Sequence, residues 1–321
     1  MSYCSFGDST HMSKYKILVT GSSGTIGTRF FEKLLEQGYE AVGFDKKQNQ
    51  WDAKLNKQTI KGDLLREDDL KKLPKNIDLI IHLAANARVY NSVLNPILAL
   101  ENIMMTHHIL EFARKKNIPR FILSSSREVY GNREESISSE DEVNIRLSES
   151  PYSAMKIGAE ALVYAYRKCF GIQNIILRFS NVYGRYDISD RLIPLLIEKM
   201  RKDQDVFIYG KEKVLDFTYI DDCISGLIKT VEHFSQVQNN VLNIASGEGH
   251  TLIEVARLVR EILGSKSRII IKANRKGEVV QFIADISRAK SFLGYEPKYS
   301  IQVGLEEAVK WYLSYFQNIE K

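Results

Sequence analysis

Tyr152 and Lys156 stand four positions apart in the stretch PYSAMK. On a helix that spacing puts both side chains on one face. An ammonium beside a phenol favours phenolate and lowers the phenol pKa from about 10 toward neutrality. Such a tyrosine can take a proton from a sugar hydroxyl while a hydride leaves the same carbon. A second polar group stands earlier, in SSSREVYG from Ser124 to Gly131. It follows the apolar run Phe121-Ile122-Leu123, so three serines, Arg127 and Glu128 come where a buried strand leaves the core. Open α/β sheets bind ligands at the carboxyl ends of their strands, and a hydroxyl there could hold the oxygen that Tyr152 deprotonates.

A third constellation precedes both. Thr20-Gly21-Ser22-Ser23-Gly24-Thr25-Ile26-Gly27 joins an apolar strand to a helical pattern. Gly21 allows a tight turn, Gly24 lets the backbone approach a pyrophosphate, and Gly27 lets the helix pack close to the strand. The helix N-terminus adds free N–H groups and partial positive charge. Asp45 ends the next strand, where a carboxylate can accept both hydroxyls of an adenosine ribose. An acid there repels a 2′-phosphate and favours NAD over NADP, while Lys46 and Lys47 act in the opposite sense.

The elements that must position these groups alternate. Strands read over 15–19, 40–44, 59–61, 78–83, 120–124 and 174–179, with helices between them over 25–37, 95–116 and 152–170. Strands alternating with helices imply crossovers and a parallel sheet buried on both faces, a doubly wound α/β (Rossmann-type) fold. After about Asn181 the elements shorten. We expect a dinucleotide-binding domain over 14–180 and a smaller, mainly substrate-binding C-terminal lobe over 181–321. Segments near 215–245 are expected to return to the main domain, and residues 1–13 to be a disordered leader ahead of the body of the fold.

Composition excludes several classes. The 321 residues are 44% hydrophobic and 26% charged, as in an ordinary globular protein. No apolar run reaches the roughly 20 residues of a membrane-spanning helix. The formal charge of +5 is spread along the chain, without the dense basic tract of a nucleic-acid binder. Cys4, Cys169 and Cys223 are far apart and lack metal-ligand spacing. No metal is expected, Cys169 and Cys223 read as small core residues, and the compartment reads as the reducing cytoplasm.

Taken together, these motifs resemble the extended short-chain dehydrogenase/reductases that act on nucleotide sugars. The resemblance covers roughly residues 15–315. It is carried by the glycine turn, Gly62-Asp63-Leu64, His82-Leu83-Ala84-Ala85, the strand-end serines and the tyrosine–lysine pair. Arg178-Phe179-Ser180-Asn181-Val182-Tyr183-Gly184, Asp216-Phe217-Thr218-Tyr219-Ile220-Asp221-Asp222 and Arg275-Lys276-Gly277-Glu278 extend it.

The resemblance implies NAD as cofactor, a nucleotide sugar as substrate and a homodimer formed through the helices at 95–116 and 152–170. It makes Ser126 the catalytic hydroxyl, with Tyr152 and Lys156. It places Asp63 and Leu64 near the adenine and Leu83, Ala84 and Ala85 along the cofactor. Thr25, Ile26, Lys46, Asn102, Ser124 and Phe179 join these as cofactor contacts. Asn181 and Arg275 would meet the substrate diphosphate, with Arg88, Arg127 and Arg191 as further substrate contacts. Phe282 falls where bulk would limit an N-acetyl group. Asp221 and Asp222 match a mostly structural motif. One departure stands out: Leu215 occupies a place where the family often has a diphosphate-binding arginine, so Arg275 would carry more of the anion, or Arg185, Arg191 or Lys213 would substitute.

Glu128 divides the reactions. A 4-epimerase (UDP-hexose type) turns a 4-keto sugar over and returns the hydride. A 4,6-dehydratase needs a carboxylate base near C5, where Glu128 stands, and a decarboxylase loses a C6 carboxylate. Plain 4-epimerases usually have small neutral residues at these two positions. Arg127 replaces the acidic partner of dehydratases; it is a poor proton donor at neutral pH and either pairs with Glu128 or turns to solvent. The expected function is therefore 4-epimerization, with dehydratase and decarboxylase as alternatives.

Overall fold

A computed structural model describes residues 15–135 and 137–320. The expected leader lies outside the described residues. The centre is a seven-stranded parallel sheet. Its spatial order is Val241–Ile244, Gln173–Phe179, Arg120–Ser126, Leu79–His82, Lys16–Thr20, Glu40–Asp45 and Thr59–Lys61. The order reverses beside Lys16–Thr20, which creates the crevice of a doubly wound sheet. Successive side chains of a strand point to opposite faces, so one strand feeds two cores. Ile17 and Val19 enter one hydrophobic cluster while Leu18 enters the other, and all three are fully buried.

Two helices position the chemistry. Thr25–Glu36 starts at Gly24, directly after the first strand. Pro151–Phe170 has strong start and stop signals. Ser150 and Ser153 form a reciprocal capping box, Pro151 occupies the first turn, and Gly171 ends the helix at φ 74°. Its inner face presents Tyr152, Met155, Lys156, Ala159 and Val163.

The later part of the chain is interwoven with this frame. Helix Ile220–Glu232 packs on Thr25–Glu36, where Arg29 Nε donates to Asp221 Oδ1 at 2.7 Å. Asp222 accepts the Lys298 and Tyr299 N–H groups at 2.8 and 3.1 Å. A smaller sheet joins Gly249–Thr251, Val214–Tyr219, Gln281–Ala284 and Ile137–Ser138, with Asn181–Tyr183 alongside Val214–Tyr219. A separate pair, Val206–Tyr209 and Ile269–Lys272, closes one side. Among the described residues no helix is long and apolar enough to cross a membrane, and no cluster of side chains has the makings of a metal site. Cys223 is buried as a core residue, but Cys169 is exposed, in a last helical turn where Arg167, Lys168 and Phe170 are exposed too.

Candidate active site

A cavity of about 340 Å³ opens at the carboxyl ends of the central strands. Leu83 and Ala85 follow one strand into it, Ser124, Ser125 and Ser126 end a second, Phe179 ends a third, and Asn181 opens the short strand Asn181–Tyr183 beyond it. Tyr152 and Lys156 enter from their helix. The strand tips are therefore polar because they line a ligand space rather than the core.

The catalytic candidates converge there. The Lys156 ammonium donates to the Ser124 carbonyl at 2.7 Å and lies 5.7 Å from the centre of the Tyr152 ring. Burial pulls Lys156 down to about 8, against the opposing charge of Glu160. The Ser126 hydroxyl hydrogen-bonds the Tyr152 phenol and accepts the Glu128 N–H at 3.2 Å. The expected direction of the phenol shift is overturned. Burial pushes Tyr152 up to about 12, and Arg191, Ser126 and Arg127 only partly offset that. Desolvation of the phenolate outweighs the cationic surroundings.

The segment after Ser126 turns as a short 3₁₀ segment, Arg127–Tyr130, and buries both charged residues. Arg127 Nη2 meets Glu128 Oε1 at 2.8 Å, so the arginine pairs with the glutamate rather than turning to solvent. Burial raises the Glu128 carboxyl while Arg127 holds it down. Phe282 does not reach the cavity wall. It is buried against Tyr130, with ring centres 5.5 Å apart, and lies under the Arg127 guanidinium. Its bulk supports Arg127 instead of facing the sugar space.

Positive charge lines the opposite side. Arg88 pairs with Asp190 at 2.7 Å, Arg191 approaches Asp187 at 3.8 Å, and Arg275 stacks on Tyr209 at 3.9 Å. Burial lowers Arg88, and neighbouring Arg191 and Arg275 add to the effect against Asp190. Leu215 is apolar wall, while Lys213 also lines the cavity and pairs with Glu278. Arg185 is not part of the lining; it faces Asp221 and Tyr219. Asn181 lines the cavity and its Nδ2 donates to the Asp216 carbonyl at 2.9 Å.

The glycine turn lies at the other end. Gly21 has φ 74°, and a Cβ on it would come within 2.6 Å of the Ala84 nitrogen. A Cβ on Gly27 would come within 1.9 Å of the Gly21 carbonyl oxygen. Gly24 caps its helix without a side-chain acceptor, leaving the first helical N–H groups available to an anion. The Ser23 hydroxyl is buried in this turn with no partner. Asp45 accepts the Ser23 and Lys47 N–H groups at 2.9 and 2.8 Å, which fixes its carboxylate beside the turn. This cradle fits the diphosphate and ribose of a dinucleotide such as NAD.

The remaining cofactor candidates are more dispersed. Ile26 lines the cavity, whereas Lys46 is exposed beyond Asp45. Asp63 accepts the Leu65 N–H at 3.0 Å, and Leu64 is buried. Thr25 donates to the Tyr186 carbonyl at 3.2 Å. Asn102 is not in the cavity lining: its amide accepts the Asn86 N–H at 2.6 Å and donates to the Asn86 carbonyl. It steadies the loop after Ala85.

Sequence reasoning missed Tyr90, Tyr209, Glu278 and Val279, all part of the lining. It also missed the buried cluster behind it. Arg178 meets Glu160 through two hydrogen bonds of 2.9 and 2.7 Å, and Ser125 donates to the same carboxylate. Glu160 sits one helical turn after Lys156, a spacing that offered the one available signal.

Residues 17–245 match the model of the NAD dependent epimerase/dehydratase family. The UDP-glucuronic acid 4-epimerase of Bacillus cereus, solved with UDP-glucuronic acid and NAD, is 33% identical. It superposes with a TM-score of 0.86 over 93% of this chain and 99% of its own. The UDP-glucose 4-epimerase of Thermotoga maritima, solved with UDP-glucose, is 30% identical, with a TM-score of 0.86 over 94% of this chain and 99% of its own. The uncharacterized UDP-glucose epimerase YtcB of Bacillus subtilis is 32% identical, over 94% of this chain and 99% of its own. With a glycine cradle and a tyrosine–lysine pair at the tips of one parallel sheet, the chain belongs to the NAD-dependent epimerase/dehydratase family, the extended short-chain dehydrogenase/reductases.

Proposed function

We propose that the protein is an NAD-dependent UDP-sugar 4-epimerase. The observation that carries this is the meeting of Tyr152, Ser126 and Lys156 in one cavity at the strand tips. Ser126 holds the sugar C4 hydroxyl, and Tyr152 takes its proton as the phenolate that Lys156 and the positive charge of bound NAD would favour over the buried phenol. Lys156 fixes the strand tip and supplies positive charge beside the phenol. Bound NAD would supply the hydride acceptor for C4 and the donor for its return. The 4-keto sugar turns over between those events, and Tyr152 gives the proton back. Gly21, Gly24 and Gly27 would hold the NAD diphosphate at the helix N-terminus, and Asp45 the ribose. Arg88, Arg191 and Arg275 would hold the substrate diphosphate, compensating for Leu215, with Asn181 beside them.

The test is incubation with UDP-glucose and UDP-glucuronate, followed by NMR of the product. Inversion at C4 of either sugar supports the reading. A second reading rests on Glu128, part of the cavity lining beside Ser126, whose carboxylate a 4,6-dehydratase would use as base. A 4-keto-6-deoxy product would establish that reading, and loss of carbon dioxide a decarboxylase.

We also place the enzyme in the cytoplasm as a homodimer. Ile97, Leu100 and Met104 form an exposed apolar stripe on helix Ile97–Lys115, beside helix Pro151–Phe170. A second copy would bury that stripe, and a monomer in size-exclusion chromatography at micromolar concentration would refute it. The residues after Asn181 act in this scheme as a substrate-binding lobe, except where 215–245 adjoins the main sheet.

A further inference from the structure

We propose that Tyr186 is a positioning residue for the substrate: an aromatic box behind the cavity holds its backbone in the left-handed conformation, and that conformation aims Arg191 at the substrate diphosphate. This rests on the reading above that Arg191 meets that diphosphate. Tyr186 has φ 71°. The left-handed region crowds the Cβ of an L-residue, and a bulky side chain there is an outlier. Such a conformation persists only where its surroundings over-determine it.

Three distant parts of the chain supply that constraint. The Tyr186 ring lies 5.3 Å from the Trp51 ring and 5.7 Å from the Trp311 ring, and the two tryptophans are 5.4 Å apart. All three pairs are tilted or edge-on, the attractive geometry for aromatic rings. Trp51 stands in the loop after Asp45, where Asn49 Oδ1 accepts its N–H at 2.9 Å and Asn49 Nδ2 donates to Thr28 Oγ1. Trp311 belongs to helix Ile301–Ile319. One residue on, the Tyr312 hydroxyl donates to the Gly184 and Asp187 carbonyls, on either side of Tyr186. The Tyr186 carbonyl in turn accepts from the Thr25 hydroxyl at 3.2 Å.

The fixed residue is the root of a short span that ends in the cavity. Asp187 is buried, accepts the Ser189 N–H at 3.1 Å and approaches Arg191 at 3.8 Å. Arg191 then starts helix Leu192–Met200. Asp187 and Arg191 line the cavity, whereas Tyr186, Trp51, Trp311 and Tyr312 do not. The box therefore reaches the substrate through this span. A residue that leaves the left-handed region turns the chain after it, and Arg191 is five positions on. A small misplacement of a binding group is enough to lose its contact with a ligand.

The experiment is calorimetry on the NAD-loaded protein with UDP as probe, which carries the diphosphate without the reacting sugar. Tyr186→Ala loses the ring and keeps the backbone strain, and should weaken UDP binding at least about tenfold. Tyr186→Gly loses the same ring but tolerates the left-handed conformation, so it should bind UDP at least about threefold more tightly than Tyr186→Ala. A smaller loss in the first variant, or a smaller recovery in the second, overturns the proposal. Arg191→Ala should itself weaken UDP binding about tenfold, and adding Tyr186→Ala to it should cost about threefold or less, because both act through one contact. A larger further loss places the effect of Tyr186 elsewhere and overturns the proposal. If Tyr186→Ala does not fold, Tyr312→Phe decides: it keeps the ring, removes both hydrogen bonds and should weaken UDP binding at least about threefold, and a smaller loss overturns the proposal. Unaltered UDP binding by Arg191→Ala overturns it too, while C4 inversion by the wild-type enzyme still sustains the epimerase reading. Failure of the wild type to bind UDP at all overturns both.

Discussion

The two ends of the ligand groove are made in different ways. The cofactor end is built from backbone: Gly21 packs on Ala84, Gly27 packs on Gly21, and an uncapped helix start faces outward. The sugar end is built from side chains: Arg127 on Phe282, Arg275 on Tyr209, Lys156 under Ser124. A backbone site recognises what all dinucleotides share, a diphosphate. A side-chain site can be rewritten residue by residue without touching the fold. That division explains how one frame serves enzymes for several sugars.

The comparison is broken most directly behind the sugar end. Arg178 and Glu160 are buried together, and the pair ties the strand tip to the tyrosine helix. Glu160→Ala leaves the guanidinium buried without its partner, which costs about 3–5 kcal/mol. Chemical denaturation measures it. A loss below about 1 kcal/mol, the range of exposed ion pairs, would mean that the side-chain end does not depend on this anchor.

Tyr152→Phe tests the chemistry itself and should lower turnover at least about 100-fold, with folding and NAD binding retained. Near-normal turnover would remove the proton transfer from Tyr152. A titration sharpens the same point. With a folded pKa of about 12, the phenol without a ligand's charge beside it is protonated at pH 7. A group whose acid form is favoured by burial ionises only as pH rises through that raised value. The ultraviolet difference between wild type and Tyr152→Phe, without cofactor, should therefore show no Tyr152 phenolate below about pH 10. Phenolate near neutrality in the stripped protein would show that Lys156 and Arg191 outweigh burial.

The backbone end predicts a different sensitivity. A methyl group on Gly27 meets a carbonyl oxygen that cannot rotate away, so Gly27→Ala should cost about 1–3 kcal/mol and weaken NAD retention. Gly171 has φ 74° but open space around it. Gly171→Ala should cost only the left-handed strain of about 1 kcal/mol, with NAD retention unchanged. Equal losses of NAD from both variants would mean that the close approach at Gly27 is not what shapes the cradle.

This division also governs what was legible in the sequence. The glycine turn, the parallel sheet and the tyrosine–lysine face follow from local spacing, which a chain displays directly. The pairing of Arg127 with Glu128 was open to either outcome until Phe282 and Tyr130 were seen to hold the arginine from behind. Phe282 itself was misplaced, because a motif position does not say which neighbour a ring will stack on. Tyr90, Tyr209 and Glu278 come from a short helix, a strand and a loop that only the tertiary fold brings to one wall. The direction of the Tyr152 shift was hidden for a related reason. Lys156 is visible four residues away, but the depth of burial around the phenol is not.

Asp45 stands where the two modes of construction meet, since it is a side chain that reads the cofactor. Its carboxylate already accepts two backbone N–H groups, from Ser23 and Lys47. It therefore shapes the turn as well as facing the ribose. Asp45→Asn keeps an oxygen for one of those N–H groups, sets an amide NH2 against the other, and removes the charge that repels a 2′-phosphate, while Lys46 and Lys47 remain exposed nearby. The NAD-over-NADP affinity ratio should fall about tenfold, a change of about 1.4 kcal/mol, with a small fall in melting temperature from the one backbone hydrogen bond lost. Fluorescence titration of the stripped protein with each reduced cofactor measures the ratio. A wild-type preference for NADP would contradict the reading of Asp45 outright. An unchanged ratio together with a lower melting temperature would make Asp45 a part of the turn alone, and the cofactor end would then be backbone throughout.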